Sequence, residues 1–131
     1  MIINVNSVKA LAPVCPNIVK HFCRTASRLH GQIAFREQLN MAEESGKYTT
    51  FQLVEADMQD LQQSILHTAS ECRTLLIKLN VLAKKHNIRA VCTSLDEVAV
   101  SGFITATVAY VEELVAKSDY SSWINHSGWG E

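Results

Sequence analysis

His67 and Glu71 stand four residues apart, so on a helix they share one face, where an imidazole and a carboxylate can hold a divalent cation. Cys15, His21 and Cys23 offer the same chemistry near a helix start. Neither set has the Glu-x-x-His pattern of carboxylate-bridged bundles or the spacing of a zinc finger, so no metal site is expected. The paired carboxylates Glu43-Glu44 and Glu112-Glu113 are sequence neighbours. Neighbours on a helix point about 100° apart, which is not the geometry of an acid–base pair. The chain has no phosphate-binding loop, dinucleotide fingerprint or Gly-x-Ser-x-Gly elbow, and no cofactor is expected. The four cysteines form no Cys-x-x-Cys pair. Cys23 and Cys72 fall on apolar helical faces, where a free thiol acts as a small hydrophobe, and a reducing cytoplasm is the expected setting.

One catalytic candidate comes from Arg24 and His30, an Arg-x5-His pair. It resembles the Arg-x4-6-His motif of the HEPN class of helical ribonucleases, which are dimeric bundles of about this size. The resemblance covers these two residues, with Thr25 in the place of the polar residue that follows the Arg. It implies that Arg24 and His30 would activate and stabilise attack by the 2′-hydroxyl of RNA.

The elements that must position such residues are helical. From Phe51 to Leu82 a core-type residue recurs at steps of three and four: Phe51, Val54, Met58, Leu61, Ile65, Thr68, Cys72, Leu75, Leu79 and Leu82. A period of 3.5 marks the seam of a helix packed on another helix. That helix is expected from Thr49 or Thr50, with Gln52 completing a capping box, to about Asn87. Ala69, Leu76 and Ala83 widen the seam in its second half, while Leu66 and Ile77 add apolar surface elsewhere. The first half therefore reads as a solvated hairpin and the second as part of a thicker bundle.

A preceding helix is expected from Pro16, suited to a first helical position, to about Glu44, before Ser45-Gly46-Lys47. Its stripe is Ile18, Val19, Phe22, Ala26, Leu29 and Ile33, continued by Phe35, Leu39 and Ala42, and Gly31 marks a kink or a close contact. Residues 1–14 are open between an extended piece through Ile3 and Val5 and a helical turn capped by Ser7. Ile88 to Thr93 reads as a short apolar link, and Ser94 with Glu97 as a second capping box. The last helix, Leu95 to about Lys117, has no charge from Val98 to Val111 and predicts burial on all sides. Its apolar run is shorter than the roughly 20 residues of a membrane span. The start of the chain has no basic region before an apolar run, so no signal peptide is expected.

The fold class is therefore all-α: a single domain of 131 residues, built on a long antiparallel hairpin with a buried apolar C-terminal helix. Hydrophobic residues make up 47% of the chain, charged residues 19%, and the net charge is −1. That balance excludes a disordered chain and a global field for nucleic acid or membrane. If the last helix packs antiparallel to the second, Lys78, Lys84, Lys85 and Arg89 share a basic end, while Glu43, Glu44, Glu112 and Glu113 lie at an acidic one. The expected function is non-catalytic: an adaptor, regulator, chaperone or inhibitor that binds protein, with nucleic acid at the basic end as the alternative. Lys78, Lys84, Lys85, Arg89, Trp123 and Trp129 are the candidate partner contacts, with the two tryptophans expected to fold back onto the bundle. Val98, Gly102, Phe103, Ala106 and Tyr110 are the candidate interface of a homo-oligomer.

Overall fold

The computed structural model describes residues 2–44, 51–93 and 100–116. The described residues form an all-α bundle of four helices: α1 (Val5–Leu11), α2 (Pro16–Glu44), α3 (Phe51–Lys85) and α4 (Val100–Ala116). The two long helices form the antiparallel hairpin expected from the seam. Arg28 on α2 reaches Glu71 on α3, and further along Arg36 reaches Gln62, so the numbering of the two helices runs in opposite senses. On α3 the seam residues Ile65, Thr68, Cys72, Leu75 and Leu79 are buried. Ala69, Leu76 and Ala83 are buried beside them, which is the thickening predicted for the second half. On α2 Val19, Phe22, Ala26, Leu29, Ile33 and Leu39 face inward, but Phe35 is 50% exposed and leaves the stripe. Gly31 marks no close contact, since a Cβ there would meet nothing within 4 Å.

The N-terminal segment combines both expected forms. Ile3 makes an antiparallel bridge with Cys92, and Asn4 N–H donates to Val91 O at 2.7 Å. Asn4, rather than Ser7, then caps α1, its Oδ1 accepting from the N–H groups of Asn6 and Ser7. Ser7 is buried in the first turn. The residue 91–92 segment is held from the other side by Asn80. Its amide oxygen accepts from the N–H groups of Val91 and Cys92, and its amide nitrogen donates to Cys92 O at 2.7 Å. α3 ends in a Schellman motif: Asn87 takes φ 57°, Ile88 N–H donates to Ala83 O, and Asn87 N–H donates to Lys84 O.

α4 departs from expectation in two ways. It is not buried on all sides. Phe103, Ala106, Thr107, Tyr110, Val111 and Leu114 face the core, while Val100, Ser101, Thr105 and Ala109 are exposed. From Val100 to Ala109 its outward residues carry no charge, and absence of charge is not burial. Its direction also differs. Tyr110 packs on Phe22 with ring centroids 5.3 Å apart, and Glu113 lines a cleft with Asn4 and Arg89. The C-terminal half of α4 thus lies where α2 begins and α3 ends, and α4 runs alongside α3 in the same sense. Glu113 therefore belongs to the basic end, beside Arg89, and Glu112 goes with it. All four helices contribute to one core, from Val5, Val8 and Leu11 through Phe22 and Leu79 to Val111 and Leu114. The capping residues Thr49, Ser94 and Glu97 lie outside the described residues.

Candidate interaction surface

Glu71 uses both carboxylate oxygens: Oε2 meets Arg28 Nη2 at 2.7 Å and Oε1 meets His67 Nε2 at 2.9 Å. A carboxylate already engaged by a guanidinium is a poor start for a cation site. Among the described residues no group of three or more His, Cys, Asp or Glu is placed to hold a metal ion. The trio forms part of a polar cleft between α2 and α3, which Asp60 also lines and where Gln32 Oε1 is buried without a partner among the described residues. Cys23 turns inward, its Sγ 3.4 Å from Tyr110 Oη, while His21 is exposed, so Cys15, His21 and Cys23 do not converge. Arg24 is exposed and His30 half-buried on α2. Six residues apart, they lie about 120° from each other around the helix.

Burial raises the thiols of Cys23 and Cys72 to about 12, and that of Cys92 to about 11. Tyr110 is raised well above its ordinary value, again by burial first. These groups stay neutral and fill space. A thiol held protonated by burial is a weak nucleophile at neutral pH.

The proposed oligomer contacts divide. Phe103, Ala106 and Tyr110 are 2%, 5% and 2% exposed against the chain's own helices, which accounts for their apolar character without a second copy. Gly102 is half-buried, and Val98 lies outside the described residues. Trp123 and Trp129 lie outside them as well. Lys78, Lys84, Lys85 and Arg89 are all exposed at the end of α3 and just beyond it.

Next to these cations is a feature that the core seam obscured in the sequence. Leu66, Ile77 and Val81 are 44%, 36% and 64% exposed. With 100° per residue they fall within about 60° of one another, on the face of α3 roughly opposite its buried seam. Ser70, Thr74 and Lys84 complete this outer ridge, and all three are exposed. Arg73 borders it with its guanidinium 6.0 Å from the Phe103 ring centroid, covering that ring. The signal was the spacing of 66, 77 and 81, eleven and four apart, beneath the stronger stripe. From Cys72 to Thr93 the sequence carries Arg73, Lys78, Lys84, Lys85 and Arg89 and no acid. Lys84 and Lys85 also complement the C-terminal dipole of α3, but Lys78 and Arg73 lie too far back for that. No helix among the described residues is long and apolar enough to cross a membrane. Comparison with protein-family models, with curated protein sequences and with solved structures gave no match.

Proposed function

We infer that this chain is a non-catalytic interaction protein that binds protein through the outer ridge of α3. The observation that carries this reading is the alignment of exposed Leu66, Ile77 and Val81 on one helical face, flanked by Lys78, Lys84 and Lys85. Apolar side chains gain from being covered, and flanking cations select and orient an acidic partner surface. Lys78, Lys84, Lys85 and Arg89 keep their place as partner contacts. The buried free thiols suit a reducing compartment such as the cytoplasm. Binding of nucleic acid is the second reading, supported by the run of cations without an acid after Glu71.

The test compares proteins co-purifying with the tagged chain and with an Ile77→Asp, Val81→Asp variant from the native host. Loss of a specific partner with unchanged helicity is the expected result. Retention of every partner by the variant overturns the ridge as the functional surface. Recovery of RNA instead, with an affinity falling steeply between low and moderate salt, supports the second reading.

A further inference from the structure

We propose that the occupant of the α3 ridge is a second copy of the same ridge, giving an antiparallel two-fold dimer. This rests on the reading of the ridge as a protein-binding surface, and it names the partner. A two-fold interface needs a self-complementary face, in which each contact occurs twice. The α3 ridge has that property in the antiparallel register that sets Leu66 of one copy against Val81 of the other. The same register sets Ser70 against Ile77 and Gln63 against Lys84, so the larger apolar side chains meet smaller or apolar neighbours at both ends. Thr74 lies at the axis. Arg73, which would otherwise stand one residue from its own image across the axis, is drawn aside over Phe103.

Charge selects the same orientation. The first part of α3 carries Glu55, Asp57 and Asp60, and the part after Glu71 carries only cations. A parallel pair would stack Lys84 and Lys85 on their own copies. The antiparallel pair brings them beside Gln63 and Asp60, and brings Arg89 toward the turn that follows Glu55 and Asp57. Asp60, Gln63, Leu66, Ser70, Thr74, Ile77, Val81, Lys84 and Lys85 are exposed in the single chain, so the described fold leaves the strip open over its whole length. Leu66 and Val81 are fifteen residues apart, about 22 Å along the helix, which is about four turns of two-stranded packing.

The decisive experiment is crosslinking in a Cys15→Ser background, where the remaining native thiols are buried. Thr74→Cys, close to the axis, should join two copies through a short bismaleimide. Gln63→Cys should not, because the antiparallel register separates the two positions by about 31 Å. Crosslinking at both positions would mean parallel chains and overturn the proposal, as would a monodisperse monomer in sedimentation at roughly 50 µM, a concentration at which a micromolar dimer is populated. Two charge variants test the register without touching the apolar contacts. Lys84→Glu with Lys85→Glu, and separately Asp60→Lys with Gln63→Lys, should each weaken self-association about tenfold, and an equimolar mixture should recover it as a heterodimer. Failure of the mixture to recover would overturn the register. If the wild type is monomeric yet loses a cellular partner on Ile77→Asp, Val81→Asp substitution, the ridge reading stands and the second copy falls.

Discussion

At the scale of single residues the cysteines show how burial decides chemistry. A thiol at the start of a helix is a plausible nucleophile or ligand until its surroundings are known. Cys23 sits between Phe22 and Tyr110, and Cys72 between the hairpin and α4, where a thiolate would lose its hydration. Their pKa values rise from 9.0 to about 12, so the folded state keeps protons that the unfolded chain releases above about pH 9. Stability should therefore be level with respect to these groups below pH 9. It should decline from there toward pH 12, since a raised pKa stabilises only while the unfolded group is still protonated. Chemical denaturation at pH 7.5, 9 and 10.5 checks this: in a Cys23→Ala, Cys72→Ala variant the alkaline loss should be smaller, even if its neutral stability is lower. The same burial predicts that a maleimide labels Cys15 first, because Cys15 alone among the four is only half-buried. Equal labelling rates at all four positions in native protein would contradict the packing around Cys23 and Cys72.

At the scale of elements the clearest contrast is between what short-range spacing specifies and what distant contacts decide. The seam of α3 was legible because ten positions repeat one period, and α2 was legible from Pro16 to Glu44 because a breaker precedes it and an apolar stripe runs through it. The N-terminal segment was not. Asn4 and Ser7 are both good caps, and the choice is made by Ile3 pairing with Cys92, far away in the chain. Asn80 was invisible for the same reason. Its position on α3 looks like an ordinary polar interruption, yet its side chain makes three hydrogen bonds to the residue 91–92 backbone. Asn80→Ala would leave those buried groups unmet and should cost about 2–4 kcal/mol, measured by urea unfolding. Asn80→Asp, which can still accept from the two N–H groups but cannot donate to Cys92 O, should fall between the wild type and Ala. Gly31 points the other way. It lies on an exposed face of α2 with space where a Cβ would go, so Gly31→Ala should stabilise by about 0.5–1 kcal/mol. In α4 Ser101, Thr105 and Ala109 carry no charge and so resemble core in a sequence, although they face outward.

At the scale of the whole molecule the described fold has a thick end and a thin one. Around Phe22, Leu76, Leu79 and Ala83 four helices meet, with the residue 91–92 segment closing the core. Toward the hairpin tip the packing thins to α2 against α3, with Ile104 and Val108 of α4 reaching only as far as the cluster of Leu29, Ile33 and Ile65. Among the described residues beyond that point α2 and α3 pack only on each other, and Phe35 and Met41 are largely exposed. Local opening follows the number of buried contacts that must break, so the two parts should not open together. Hydrogen exchange should be slowest for amides near residues 22–29 and 72–83. It should be faster by several powers of ten for residues 36–44 and 58–61, although both sets are helical. The outer ridge of α3 lies on the slow, thick part, from Leu66 to Lys84. A docking surface there is rigid before it meets a partner, so its contacts need little ordering of the backbone. If the tip amides exchanged as slowly as those around Leu79, the tip would have to be covered by something other than α3. A second copy on the ridge would then be too small an assembly, since the register that pairs Leu66 with Val81 leaves the outward faces of Phe35 and Met41 on α2 uncovered.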